Sequence, residues 1–168
     1  MICLQTIGYF VLGMLVTNAG EWFMHKYILH GLGKHKHSIW AYHWHDHHAV
    51  CFKHQMLDPG YQHINFLAWN TQTKEIVTLL LILLSQLTLV GIAFWYVVGF
   101  YCSIALYYYK HRKAHLDPEW AKRHLAWHYE HHLGSSSEAN WCVTWPWFDY
   151  LMGTRRKLSI SEPQNLEQ

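Results

Sequence analysis

The chain has 168 residues, a length that fits one domain. Its formal net charge is only +2 and it has no basic stripe, which argues against nucleic-acid binding. Its four cysteines are widely spaced and form no CxxC pair, a pattern typical of reduced thiols and not of a disulfide framework or a zinc–cysteine site.

The first apolar block covers residues 2–24 (ICLQTIGYFVLGMLVTNAGEWFM) and is long enough to cross a bilayer as one helix. A cleaved signal peptide is the alternative interpretation. It would need a basic segment ahead of the apolar run, and no Lys or Arg precedes Lys26. The block therefore predicts a membrane anchor.

The second apolar block, 76–109, has 34 residues without a charge. One straight helix of that length would measure about 50 Å, against a hydrocarbon core of about 30 Å. We therefore expect a helical hairpin with arms near 76–90 and 94–110, a break near Gly91, and a second arm that continues to about His115.

Charge placement supports a model with three membrane spans. All 13 Lys and Arg residues fall in 26–74 and 110–157, and all 16 histidines fall in 25–63 and 111–132. Three spans bring these segments to the same side, which the positive-inside rule makes cytoplasmic. The sequence predicts an all-α integral membrane protein with a helical, histidine-rich cap on the cytoplasmic face. Residues 1–158 form the membrane domain, and 159–168 form a polar tail.

Ten of the histidines fall into four groups along the chain. The groups are His25 and His30; His43, His47 and His48; His111 and His115; and His128, His131 and His132. Neutral imidazole is the commonest metal-binding side chain and suits Fe, Zn, Cu and Ni. Ten ligands exceed what one ion needs, so the pattern predicts an all-imidazole site for two metals.

Helix geometry indicates which of these side chains converge. At about 100° per residue, His111 and His115 share a face, as do His43 and His47. The three histidines of 128–132 fit one arc of about 100°. His25 and His30 differ by about 140°, as do the first and last histidines of 43–48. We therefore expect the first helix to end at His30, ahead of the two glycines in 31–33, and a similar local break near 48, unless His48 serves a second metal.

Acidic residues near the groups are candidates for orienting the ligands. Glu21 lies four residues before His25 on the same predicted helix face, so we expect its carboxylate to accept the ring N–H of His25. Asp46, Glu130 and Asp149 are weaker candidates, for which plain solvation is an equal explanation.

The joint pattern resembles the histidine boxes of the fatty acid hydroxylase superfamily, whose members include sterol desaturases and carotenoid hydroxylases. The boxes here are HxxxxH (25–30), HxxxHH (43–48), HxxxH (111–115) and HxxHH (128–132). EWFMHKYILHGLG (21–33) is similar to the first box of the fatty acid and carotenoid enzymes. NWCVTWPWFDYLMGT (140–154) resembles the terminal motif of the fatty acid hydroxylase branch. The resemblance covers about 20–155.

The resemblance implies two non-haem iron ions that use O2 as a co-substrate to hydroxylate or desaturate a lipid C–H bond. It implies that the ten grouped histidines are the metal ligands. The second box departs from the family's commonest spacing, so His45 is an alternative to His43, and His124 could contribute one turn before His128. These alternatives stay open at this stage.

The chain has no dinucleotide-binding glycine pattern or haem-attachment motif. The resemblance therefore also implies an external electron donor, a ferredoxin or a cytochrome with its reductase. The basic stretches 110–113 and 155–157 are candidate docking sites for it. The small size suits a bacterial inner membrane. A carotenoid-ring hydroxylase and a membrane zinc protein without oxygenase activity remain alternative functions.

Overall fold

The computed structural model describes residues 2–160, so 161–168 of the predicted polar tail lie outside it. The described part is helical and forms no β-strand. Its α-helices are α1 (Ile2–Phe23), α2 (His48–Lys53), α3 (Thr71–Ser85), α4 (Phe94–Leu116), α5 (Pro118–His124), α6 (Ala126–Leu133) and α7 (Trp147–Leu151). Two π-helical segments, Met24–Leu32 and His43–His47, run directly into or out of α-helices.

The π-helix Met24–Leu32 continues α1, so the prediction that the helix ends at His30 is wrong. In a π-helix the hydrogen bonds join residues i and i+5, which brings these two positions onto one face. His25 and His30 have that spacing. Gly33 allows the backbone at the end of this π-helix to approach the backbone at Trp40, because a Cβ on Gly33 would lie 2.9 Å from the carbonyl oxygen of Trp40.

Two helical stretches, Cys3–Leu32 and Thr71–Leu89, are long and apolar enough to cross a membrane. On α1, Leu4, Ile7, Val11 and Leu15 are exposed at helical spacing, as expected of a surface that faces lipid. The third predicted span corresponds to α4, and its crossing of the membrane stays a prediction.

The helices α1 and α4 pack with their backbones in contact at two glycines. A Cβ on Gly13 would lie 2.2 Å from the carbonyl oxygen of Tyr96, and a Cβ on Gly99 would lie 2.1 Å from that of Phe10. Small residues allow this approach between apolar helices. The contact joins the middle of α1 to the first half of α4.

The predicted hairpin in 76–109 is present as α3 and α4, and its second arm continues to Leu116. A 3₁₀ turn at Leu87–Leu89 and the residues up to 93 make the break. Asn70 caps the start of α3, where its side-chain oxygen accepts the backbone N–H of Thr73 at 2.9 Å. Asp117 caps α5 in the same way, so α4, α5 and α6 follow each other with short connections.

Candidate metal centre

All ten grouped histidines are buried, with at most 8% of their surface exposed. Imidazole is an amphipathic ring that is normally found at intermediate depth. Ten of them in one interior therefore need partners for their ring nitrogens.

The rings form two neighbouring sets. The first His set contains His25, His30, His43, His48 and His131, whose candidate ligand atoms all lie within 4.8 Å of one another. The second His set contains His47, His111, His115, His128 and His132. These rings belong to two overlapping groups that share His115 and His132, and the group with His47 also contains Cys51. Each set contains enough imidazoles for one ion.

The two His–His dipeptides each contribute one ring to each set. His48 and His131 belong to the first set, and their neighbours His47 and His132 belong to the second. Adjacent residues on a helix point about 100° apart, so one turn can serve two nearby centres. The ring centroids of His48 and His132 are 4.3 Å apart, which places the sets side by side.

This partition corrects two predictions from helix geometry. His43 does not share a centre with His47: the π-helix His43–His47 directs His43 to the first set, together with His48. In α6, the predicted single face divides. His128 and His132, four residues apart, join the second set, and His131 joins the first.

The Nδ1 atoms of several rings are already occupied as donors, which fixes the tautomer. In the second set, His111 donates from Nδ1 to Glu75 Oε1 at 2.6 Å, and His115 donates from Nδ1 to the carbonyl oxygen of Met56 at 3.1 Å. A neutral ring protonated at Nδ1 has a bare lone pair at Nε2. The Nε2 atoms of His111 and His115 nevertheless lie 3.2 Å apart, so two lone pairs face each other.

A cation between the rings resolves this conflict. Two nitrogens that bind one ion at about 2.1 Å, with a right angle between the bonds, lie about 3.0 Å apart. The Nε2 atoms of His25 and His43 are 3.0 Å apart, as are those of His30 and His48. His131 Nε2 lies 3.2 Å from both members of the second pair. The donor set therefore fits metal ions, and its chemistry suits iron or zinc equally.

Burial keeps these rings in the form that binds metal. It lowers the pKa of His131 to about 4 and lowers the pKa of His48 and His132 well below the ordinary value. These three rings are therefore neutral near pH 7, as ligation requires. In addition, Nε2 of His47 and both ring nitrogens of His132 are buried without a hydrogen-bond partner in the described residues.

Two carboxylates that the sequence did not single out support the second set. Besides His111, the Glu75 carboxylate accepts the hydroxyl of Tyr61 at 2.6 Å through Oε2. Asp58 Oδ2 lies 3.3 Å from His47 Nδ1. Burial raises the pKa of Asp58, but its contact with His47 outweighs that effect and holds the pKa below the ordinary value. A charged residue at the edge of an apolar run, as at 75, was the available sequence signal for Glu75.

Backbone carbonyls of the segment 139–144 support the first set. His25 donates from Nδ1 to the carbonyl oxygen of Trp141 at 2.6 Å, and His131 donates to that of Ala139 at 2.7 Å. The predicted contact between Glu21 and His25 is therefore wrong. Glu21 instead accepts the backbone N–H groups of Val143 and Thr144 at 3.1 and 2.9 Å.

Asp149 also acts on the segment 139–144 and not on a histidine. Its two carboxylate oxygens accept the backbone N–H groups of Trp141 and Cys142 at 2.9 and 2.8 Å. It also accepts the hydroxyl of Thr154 at 2.7 Å. Glu21 and Asp149 thus hold the segment whose carbonyls orient the first His set, one step away from the rings.

Other candidates lie outside both sets. The ring of His45 contacts the backbone oxygen of Lys34 at 3.1 Å, and His124 is exposed, so His43 is the member of the second box that joins a centre. Asp46 is also exposed, and Glu130 pairs with Arg155 at 2.7 Å. All four cysteines are free thiols, as predicted.

One buried thiol, Cys51, lies beside the second set. Its Sγ is 3.3 Å from Nδ1 of His115, the side of the ring opposite the facing Nε2 atoms. The thiol is itself a candidate ligand, because its sulfur is grouped with ring nitrogens of His47, His115 and His132 within 4.8 Å of one another. The prediction from the cysteine spacing did not include this residue.

The predicted docking stretches are largely engaged within the molecule. Lys110 donates to the carbonyl oxygen of Thr144 at 2.6 Å, and Arg112 donates to that of Tyr61 at 2.9 Å. These contacts give the cations structural roles in the cap.

A mainly apolar cavity of about 240 Å³ leads from the helices α1, α3 and α4 to the first His set. Its walls include Leu79, Ile82, Phe100 and Ile104, and it reaches His25. The cavity therefore connects the apolar helices with a candidate metal ligand.

Comparison with known protein-family models, with curated proteins and with solved structures finds no match to this chain. The resemblance of its histidine boxes to those of fatty acid hydroxylases remains a prediction from the sequence. The two His sets and the cavity beside them are therefore the features of the molecule that bear on its function.

Proposed function

We propose that this protein is a membrane-bound non-haem di-iron oxygenase that hydroxylates or desaturates an unactivated C–H bond of a lipid. The observation that carries the proposal is the pair of adjacent five-imidazole sets, with an apolar cavity that reaches one of them from the candidate membrane spans. A purely structural metal site would not need an apolar approach to its ligands.

Two iron ions, when bound, supply the activation of O2 and the oxidation of the C–H bond. The protein's part is to position the substrate and to exclude water. The apolar side chains of the cavity, such as Leu79 and Phe100, receive the lipid chain and direct it towards His25. A lipid enters laterally in this proposal, because the cavity is walled by the apolar helices α1, α3 and α4.

The groups behind the imidazoles hold their orientation. The carbonyl oxygens of Trp141 and Ala139 bind the Nδ1–H groups of His25 and His131, and Glu75 binds that of His111. Each such contact fixes the tautomer and directs Nε2 inwards. Two buried carboxylates, Glu75 and Asp58, contact rings of the second set, alongside the backbone oxygen of Met56 behind His115.

Electrons come from an external donor in this proposal, a ferredoxin or a cytochrome with its reductase. The histidine-rich cap faces the cytoplasm in the three-span arrangement, where such donors are available. The small membrane domain is consistent with a bacterial inner membrane protein.

Metal analysis coupled to turnover tests the proposal. The protein is purified without O2, its metals are quantified, and O2 uptake is followed with a chemical reductant and a lipid extract, with products identified by mass spectrometry. We expect two irons per chain and a hydroxylated or desaturated lipid. Two zinc ions per chain, with no turnover after iron loading, would overturn the oxygenase proposal and favour the zinc alternative.

A further inference from the structure

A second, more open groove of about 690 Å³ lies between helix α3 and the segment 36–46, which ends in the π-helix His43–His47. Its lining includes the charged side chains of Lys36 and Lys74 and, along α3, the apolar side chains of Val77 and Leu81. Leu81 is 62% exposed and belongs to a candidate membrane span. The groove therefore combines cationic and apolar side chains, as a binding site for an amphiphile does.

Exposed apolar side chains place this groove at a membrane surface. Immediately before α3, the side chains of Ile64, Phe66, Leu67 and Trp69 are between 50% and 98% exposed. Trp69 also lines the groove, as does Trp40. Tryptophan is enriched at the interface between membrane and water, and an exposed apolar loop of this kind marks membrane contact.

The charge of the groove favours an anion. Two lysines, Lys36 and Lys74, and one carboxylate, that of Asp46, are among its lining residues. The ammonium group of Lys74 lies 5.2 Å from the ring centroid of Tyr42, so part of its position is fixed by packing against a buried aromatic ring.

The groove adjoins the cavity that reaches His25. Tyr42 and Thr78 line both spaces, so these two side chains form their common wall. Tyr42 also immediately precedes the candidate ligand His43. A lipid with its headgroup between the lysines has its chain next to this wall, on the side opposite the first His set.

We propose that the substrate is an amphiphile with an anionic headgroup, and that Lys36 and Lys74 bind this headgroup while the chain lies along Tyr42 and Thr78, the wall that the groove shares with the inner cavity. This inference rests on the proposed lipid-oxidising function. It selects among the substrates which that function allows: an acidic lipid fits, and a purely apolar carotene does not use the two lysines.

A binding measurement that needs no turnover tests it. The protein is reconstituted in phosphatidylcholine nanodiscs, and the quenching of its tryptophan fluorescence is titrated with dibrominated stearic acid and with the methyl ester of the same acid. The two probes share a chain and differ in charge. We expect the acid to bind about tenfold more tightly to the wild type, once partitioning into protein-free nanodiscs is subtracted.

Variants identify the groups responsible. The double variant Lys36→Gln/Lys74→Gln should lose the preference for the acid. Lys53→Gln removes an exposed lysine outside the groove and should keep it. Lys36 is exposed, so Lys36→Gln alone tests the headgroup contact with little risk to folding and should reduce the preference by about threefold.

Equal binding of acid and ester by the wild type would overturn the headgroup proposal, and so would an unchanged preference in the double variant. Loss of the preference in Lys53→Gln would do the same, because it would assign the effect to general surface charge. A charge-dependent preference in a protein without iron-dependent turnover would contradict the proposed oxygenase function only. The two failures are therefore distinguishable.

Discussion

Glu75 offers the sharpest test of how the second His set is built. Its carboxylate accepts hydrogen bonds of 2.6 Å from both the hydroxyl of Tyr61 and Nδ1 of His111. Both donors are buried, with 1% and 3% of their surface exposed. Glu75→Ala would leave two buried donors without a partner, at a cost of about 1–3 kcal/mol each. We therefore expect the free energy of unfolding to fall by about 2–6 kcal/mol.

Glu75→Gln separates metal binding from folding. A glutamine fills the same space, but it has an oxygen at only one of the two carboxylate positions that accept these hydrogen bonds. Its NH₂ group occupies the other position and faces the other donor. The ring of His111 then loses its charged partner or its fixed orientation. We expect metal affinity at the second His set to fall about 10- to 100-fold, with the first set unchanged.

The assay is a titration of metal-free protein with Zn²⁺ followed by calorimetry, with thermal unfolding measured in parallel. The wild type should bind two ions per chain, and Glu75→Gln should show one site of unchanged affinity and one that is weakened. Glu119→Gln, an exposed position of the cap, is the matched control. Two unchanged sites in Glu75→Gln would refute the assignment of Glu75 as the group that orients His111.

Three further predictions follow from the same geometry. His131→Ala should weaken metal binding in the first His set, His132→Ala should weaken it in the second, and each should abolish turnover. His45→Ala should leave the metal content unchanged. Elemental analysis measures the metal content and O2 uptake measures turnover, and activity that survives in His131→Ala or His132→Ala would refute the assignment of that histidine as a ligand. Because burial lowers the pKa of His131 from 6.5 to about 4, the unfolded chain binds this proton first. The neutral ring therefore contributes to the stability of the metal-free protein above pH 6.5, and this contribution is lost as pH falls to about 4. The free energy of unfolding should fall by about 3 kcal/mol across this range, which unfolding curves at several pH values would measure. Gly99→Leu should disrupt the packing of α1 on α4, since its Cβ would meet a backbone oxygen at 2.1 Å, whereas Gly8→Leu meets nothing within 4 Å and should fold normally; equal yields of folded protein from both would contradict this account.

Much of the helical layout follows from local signals in the sequence. The uncharged run 76–109 is too long for one span, and the structure divides it into α3 and α4 near the expected position. The predicted end of α1 at His30 was wrong, because that prediction assumed α-helical spacing throughout. A switch from α- to π-helix changes the hydrogen-bond partner by only one residue and leaves no distinct sequence signal.

The ten histidines could be identified from the sequence because their clustering and spacing are local properties of the chain. Their assignment to two sets could not, since the rings of His47 and His48 diverge by an angle that only the local helix type determines. The orienting groups were also hidden. Trp141 lies 116 residues from His25 and Glu75 lies 36 from His111, so no periodicity relates them.

The sequence by itself determined the residue types, the apolar helices and the ten imidazoles that bury together. Only the tertiary structure decided which imidazole meets which, that backbone oxygens orient His25 and His131 while two carboxylates contact rings of the second set, and that an apolar cavity opens beside His25. The physical reason is that a ligand set is defined by the positions of nitrogen atoms to within a few tenths of an ångström. Those positions depend on helix packing, such as the glycine contact between α1 and α4, and on hydrogen bonds between residues far apart in the chain.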